Sequence, residues 1–119
     1  DLRYVRSAAE AIADVMDHPL IIINKSTVPV GTGDWVASII RKRRGDNLEF
    51  AVVSNPEFLR EGSALQDFFH KNPVVIGSDS EKALAIMEAL YKPLVDSGTT
   101  LIKTDLASAE TIKYAWNAY

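Results

Sequence analysis

The sequence contains no cysteine. That excludes a disulfide-stapled module and any thiol nucleophile within this chain. Histidine is scarce too: His18 and His70 lie far apart without ligand spacing, so no metal site is expected. No excess of one charge sign is present. Thirteen Lys and Arg stand against 16 Asp and Glu, a formal charge of −3, which is unlike a general nucleic-acid binder. No apolar run approaches the roughly 18 residues of a membrane span, and the start lacks a signal-peptide core. A cytoplasmic chain with no membrane partner is therefore expected. With 47% hydrophobic and 24% charged residues, disorder is excluded as well. The 119 residues fit one domain.

What is present is an alternation of helix and strand patterns. Leu2, Val5, Ala9, Ile12 and Met16 recur at helical steps until His18-Pro19 breaks the pattern. Leu20 to Ile23 form a continuous apolar run, suited to a strand buried on both faces. Gly31-Thr32-Gly33-Asp34 leads into a second helix with Trp35, Val36, Ile39 and Ile40 as its apolar positions. It ends in the basic run Arg41 to Arg44, read as a solvated helix end, and Gly45. Phe50 to Val53 read as a second strand, Ser63 to Phe69 as a short helix, and Val74 to Ile76 as a third strand. Asp79 or Ser80 caps a helix carrying Ala83, Leu84, Met87 and Leu90, with Pro93 placed soon after it. Thr100 to Ile102 give a fourth or edge strand. Asp105 caps a last helix with Leu106, Ala109, Ile112, Trp116 and Tyr119 on its apolar side. The fold class expected is α/β, a partial Rossmann-like and mainly parallel sheet flanked by helices. The chain opens inside a helical pattern and stops at Tyr119 without a C-cap signal, so both ends read as cut.

In open α/β sheets, ligands bind beyond the carboxyl ends of the strands. Two polar clusters fall at such ends and a third on the last helix. The first is Asn24 to Gly33, offering the Lys25 ammonium and the Ser26 and Thr27 hydroxyls, or simply a solvated loop. Its Gly31-Thr32-Gly33 is not a dinucleotide fingerprint, because Val36 stands where the third glycine is needed. The second is Asn55 to Gly62. On a helix, Glu57 and Glu61 would share one face, and two close carboxylates separate their pKa values. An acidic helix start is the plainer alternative. In the third, Glu110, Lys113 and Asn117 share a face beside the apolar stripe. They are either an oxyanion and hydroxyl clamp or a solvated Glu–Lys face.

Four segments occur in order: Lys25 to Thr32, Ser54 to Gly62, Val75 to Gly77, and Thr104 to Glu110 with Lys113 and Asn117. Together they resemble the UDP-glucose/GDP-mannose dehydrogenase family across nearly the whole chain. The most specific part is Asn55-Pro56-Glu57-Phe58-Leu59-Arg60-Glu61-Gly62. The resemblance implies an NAD-dependent oxidation of a nucleotide sugar's primary alcohol to a carboxylate, through a thioester on a cysteine. It implies that Thr27 and Glu61 position a catalytic water and contact the cofactor side, with Ser26 near NAD. Glu57 would be a general acid/base, and the backbone around Phe58 and Leu59 would line the sugar-nucleotide pocket. Lys113 and Asn117 would stabilise the oxyanion and orient the reacting carbon. Residues 1–104 would then be the second part of the NAD-binding domain, and residues 105–119 the start of a central linking and dimerisation helix. A homo-oligomeric full-length enzyme is the expected assembly.

Departures from the family pattern matter as much. This chain has neither the family's glycine-rich first turn nor its cysteine, so it is not expected to complete the reaction alone. His70-Lys71-Asn72-Pro73 replaces a more usual Pro-x-Arg turn, and Trp116 is bulkier than the family's common residue. The alternative from a different class is a stand-alone α/β ligand-binding or dimerisation domain without catalysis.

Overall fold

The computed structural model describes residues 1–58 and 72–118. The element order is α1 (Arg3–Val15), β1 (Leu20–Asn24), α2 (Thr32–Arg44), β2 (Phe50–Ser54), β3 (Val74–Gly77), α3 (Glu81–Asp96), β4 (Leu101–Thr104) and α4 (Leu106–Ala118). The helix expected over Ser63 to Phe69 lies outside the described residues.

The four strands form one sheet in the order β1-β2-β3-β4. β1 and β2 pair in parallel over five residues, Leu20↔Phe50 to Asn24↔Ser54. β3 and β4 pair in parallel over four, Val74↔Leu101 to Gly77↔Thr104. The sheet is thus mainly parallel, as the alternating pattern implies, but its middle junction is antiparallel. There β2 and β3 meet only at their last residues, Ser54↔Gly77. Side chains reinforce that junction. The Ser78 hydroxyl donates to the Val52 carbonyl at 2.7 Å, and the Asn55 amide donates to the Val75 carbonyl at 3.0 Å.

Helices cover both faces. On one, Ala9 and Ala13 of α1, and Met16 just after it, pack with Val36, Ala37 and Ile40 of α2 against Leu20, Ile22, Phe50 and Val52. On the other, Ala83 and Met87 of α3 pack against Ile21, Ala51, Val53, Val74, Ile76 and Leu101. The alternation of neighbouring strand residues between these two clusters is the period-2 geometry of a strand. β1 departs from the fully buried strand its apolar run suggests. It lies at the sheet edge, and Ile23 is 40% exposed.

The helix ends follow local chemistry. Gly31 (φ +98°) precedes α2 and Gly45 (φ +67°) closes it, both in a region that side-chain-bearing residues rarely adopt. The Ser80 hydroxyl accepts from the Ala83 N–H at 3.1 Å, so Ser80 and not Asp79 caps α3. Asp105 caps α4 through the Ser108 N–H and hydroxyl, both at 2.8 Å, and those bonds hold its carboxyl below the usual range.

Three expectations need correction. Pro93 lies inside α3, which continues to Asp96. Pro93 and Ala89, whose carbonyl the missing N–H would have served, are both exposed, so water can replace that bond. Leu90 is 64% exposed, and Tyr91 occupies the inner position instead. The basic end of α2 is not merely solvated: Arg43 bridges to Glu10 and Asp14 of α1, both at 2.6 Å.

Candidate functional site

The offset at the middle junction builds the site. Because β2 and β3 meet tip to tip, the β3–β4 pair extends past the carboxyl ends of β1 and β2. α4 follows β4 and turns back over β3, so it rises beside those strand ends as a wall. Residues 55–58 and the loop from Lys25 to Gly31 leave the same edge.

Three side chains meet along α4. Phe58 is buried, with the Lys113 ammonium 5.1 Å from its ring centroid and the Trp116 ring edge-on at 5.2 Å. Lys113 is only 8% exposed, and no carboxylate pairs with it among the described residues. One turn earlier, Glu110 is 3% exposed and accepts from the Thr32 N–H at 3.1 Å. A carboxylate from α4 thereby caps the start of α2. The face carrying Glu110 and Lys113 is buried, so the solvated Glu–Lys reading of that face is overturned. Asn117 is exposed, one turn beyond Lys113, and its side chain makes no hydrogen bond among the described residues.

Glu110 also explains why Gly31-Thr32-Gly33 is not a phosphate loop. A helix N-terminus attracts anions, but this one already holds the chain's own carboxylate. Burial raises the Glu110 pKa above its ordinary 4.5, against the N–H groups of Gly33, Gly31 and Thr32, which lower it. Its Oε1 has no hydrogen-bond partner among the described residues. The raised value fixes the sign of a pH effect. Between 4.5 and the folded-state value, the folded chain holds a proton that the unfolded chain has lost. Stability therefore falls as pH rises through that window. Glu110→Gln mimics the protonated acid. Thermal unfolding is expected to give matching midpoints for variant and parent near about pH 4, with the variant more stable near about pH 8. A less stable variant at the higher pH would mean that the charged carboxylate's bonds to α2 outweigh its burial.

The loop after β1 presents Lys25, Ser26 and Thr27, all exposed. It is pinned at both ends: the Ser26 N–H donates to Asn24 Oδ1 at 3.1 Å, and the Thr32 hydroxyl donates to the Pro29 carbonyl at 2.6 Å. After β2, Asn55 is 2% exposed and Glu57 is exposed. Glu57 and Phe58 line a cleft with Lys25, Asn55, Pro56 and Tyr91. Asn55 Oδ1 accepts from the Tyr91 hydroxyl at 2.6 Å and from the Lys25 ammonium at 3.1 Å.

The predicted residues are therefore partly gathered. Phe58 and Lys113 touch, Glu57 adjoins Phe58 in the chain, and Ser26 and Thr27 stand on the loop after β1. Leu59 and Glu61 lie outside the described residues. Among the described residues, no group of His, Asp and Glu could hold a metal ion. Tyr91 escaped the sequence reading. Its signal was the Leu84–Met87–Tyr91 spacing, as helical as the Leu84–Met87–Leu90 spacing chosen instead.

The fold is that of a dehydrogenase-type α/β domain, with a cluster of polar and charged side chains at the strand carboxyl ends. Residues 1–95 match the UDP-glucose/GDP-mannose dehydrogenase family, NAD binding domain, and the chain belongs to that family. It is 52% identical over its full length to the UDP-glucose 6-dehydrogenase TuaD of Bacillus subtilis (strain 168), of which it covers 25%. It is 45% identical to the UDP-glucose 6-dehydrogenase of Rhizobium meliloti (strain 1021), covering 28% of that protein. Among solved structures, a UDP-glucose dehydrogenase from Pyrobaculum islandicum superposes with a TM-score of 0.88 at 40% identity, over 98% of this chain and 27% of that one. A GDP-mannose dehydrogenase from Pseudomonas aeruginosa gives 0.85 at 30% identity, over 99% and 28%. The chain thus spans about a quarter of the length of the relatives it matches. No helix among the described residues is long and apolar enough to cross a membrane.

Proposed function

We propose that this chain is part of an NAD-dependent nucleotide-sugar dehydrogenase of the UDP-glucose to UDP-glucuronate type, acting in two hydride transfers. Lys113 carries the proposal. It is a nearly buried lysine with no carboxylate partner among the described residues, held against Phe58 on the wall beyond the strand ends. A cation so placed suits an anionic substrate and the negative charge that develops as an alcohol is oxidised.

The roles of the residues are those that the family resemblance implies. Glu57, exposed in the cleft, accepts the alcohol proton directly or through water and serves as general acid/base in thioester hydrolysis. Thr27, with Glu61, positions that water. Lys113 and Asn117 hold the oxyanion and the reacting carbon, and the backbone at Phe58 and Leu59 borders the sugar. The exposed Ser26 and Thr27 hydroxyls fit the cofactor side, the side to which the family resemblance also assigns Glu61. The start of α2 does not fit the cofactor's phosphates, because Glu110 already occupies it. NAD, when bound, supplies the hydride acceptor.

In this reading, residues 1–104 belong to the NAD-binding domain and residues 105–119 begin the helix leading to the next one. The full-length protein is a cytoplasmic homo-oligomer. The test uses that full-length protein with UDP-glucose and NAD. The expected result is NADH formation approaching two per sugar. Binding of nucleotide sugar without NADH formation would sink the proposal in favour of a ligand-binding domain.

A further inference from the structure

Asn55 is the most heavily bonded side chain near the site, yet the reaction proposed above gives it no task. Its carboxamide uses both ends. Oδ1 accepts from Tyr91 Oη (2.6 Å) and Lys25 Nζ (3.1 Å), while Nδ2 donates to the Val75 carbonyl (3.0 Å). Its backbone N–H donates to the Asn24 carbonyl at 2.9 Å. Lys25 Nζ also lies 3.5 Å from Tyr91 Oη. One buried amide thus ties together the end of β1, the end of β2, β3 and α3.

The two segments tied are the ones that bear the proposed chemistry. Lys25 stands two residues before Thr27, and Asn55 two residues before Glu57, separated from it by the buried Pro56. Proline fixes its own φ and restricts the residue before it, so the path from Asn55 to Glu57 has little slack. Tyr91 belongs to α3, which packs on the opposite face of the sheet from α4. It holds these loops from the cleft that it lines together with Glu57, without standing on the wall that bears Lys113.

We propose that Lys25 and Tyr91 are positioning residues. Through Asn55 they fix the strand-end segments that carry Thr27 and Glu57 relative to each other. This rests on the function proposed above. Tyr91→Phe removes one hydroxyl and leaves the ring's packing in place. Lys25→Met removes the ammonium from an exposed side chain, so folding is not at risk.

Steady-state kinetics of the full-length enzyme with UDP-glucose and NAD tests it. Each variant is expected to lose roughly 10-fold in kcat, because small misplacements of reacting groups are costly, while both KM values stay within about 3-fold. In a Glu57→Gln background the Tyr91→Phe loss is expected to shrink to less than about 2-fold, since there is no longer a carboxylate to aim. A purely structural role would instead lower the melting temperature and multiply with the Glu57→Gln loss. Parental kcat in both variants, or full multiplicativity, would overturn the inference. An inactive parent enzyme would overturn the proposed function instead.

Discussion

Replacing Gly77 with alanine is expected to cost about 3 kcal/mol or more, at the upper end of overpacking penalties. The added methyl would lie 2.6 Å from the Ala109 Cβ and closer still to the Asp105 carbonyl oxygen. The first neighbour is on α4 and the second is backbone at its cap, so no flexible side chain can swing aside. The glycine is needed here for contact, because it ends β3 where α4 begins to cross the strand. Thermal unfolding should show a midpoint lower by about 10 °C or more. A midpoint within about 2 °C of the parent would mean that α4 can lift off β3 at little cost. Catalysis should suffer with stability, since the displaced helix carries Glu110 and Lys113.

Lys113→Met is expected to separate those two properties. Methionine keeps most of the stem's packing and removes the ammonium. The loss of one charge-stabilising donor in the transition state corresponds to about a 10²–10³-fold fall in kcat/KM for nucleotide-sugar oxidation. Stability should move by no more than about 1 kcal/mol. The lost cation–π contact with Phe58 is worth about that much at most, and relief from holding an ammonium in a nearly buried side chain offsets it. Single-turnover and steady-state assays beside a melting curve check both halves. Unchanged turnover would remove Lys113 from the chemistry, and a collapsed fold would reassign it to structure.

Local patterns carried most of the fold. Helical periodicity, Gly45, Ser80 and Asp105 mark their elements because each acts within a turn or two of chain. The antiparallel meeting of β2 and β3 was not legible. A parallel and an antiparallel neighbour make the same apolar demands on so short a strand, and the register is fixed by one residue pair. The site divides the same way. Lys113 and Phe58 were legible as types in a motif. Their stacking, and Glu110 reaching across 78 positions to Thr32, are products of tertiary packing. A charged residue beside an apolar stripe reads as solvated until the element that covers it is known. Tyr91 was missed because an amphipathic helix can be rotated by one position without offending its pattern.

The middle junction of the sheet has a further consequence. Two well-laddered pairs of strands share a single residue pair, so the backbone ladder alone barely makes them one sheet, and the Ser78 and Asn55 side chains add only two bonds across it. Their cohesion crosses through the helices. α3 spans Val53 and Ile76 on one face, while Leu106 and Ala109 of α4 join clusters on either side of the junction. α4 is thus a splint as well as a wall. An element that holds two half-sheets together cannot drift without loosening both. The lysine proposed to meet the substrate therefore stands on a helix anchored to both half-sheets, and its position is a by-product of the load that helix bears.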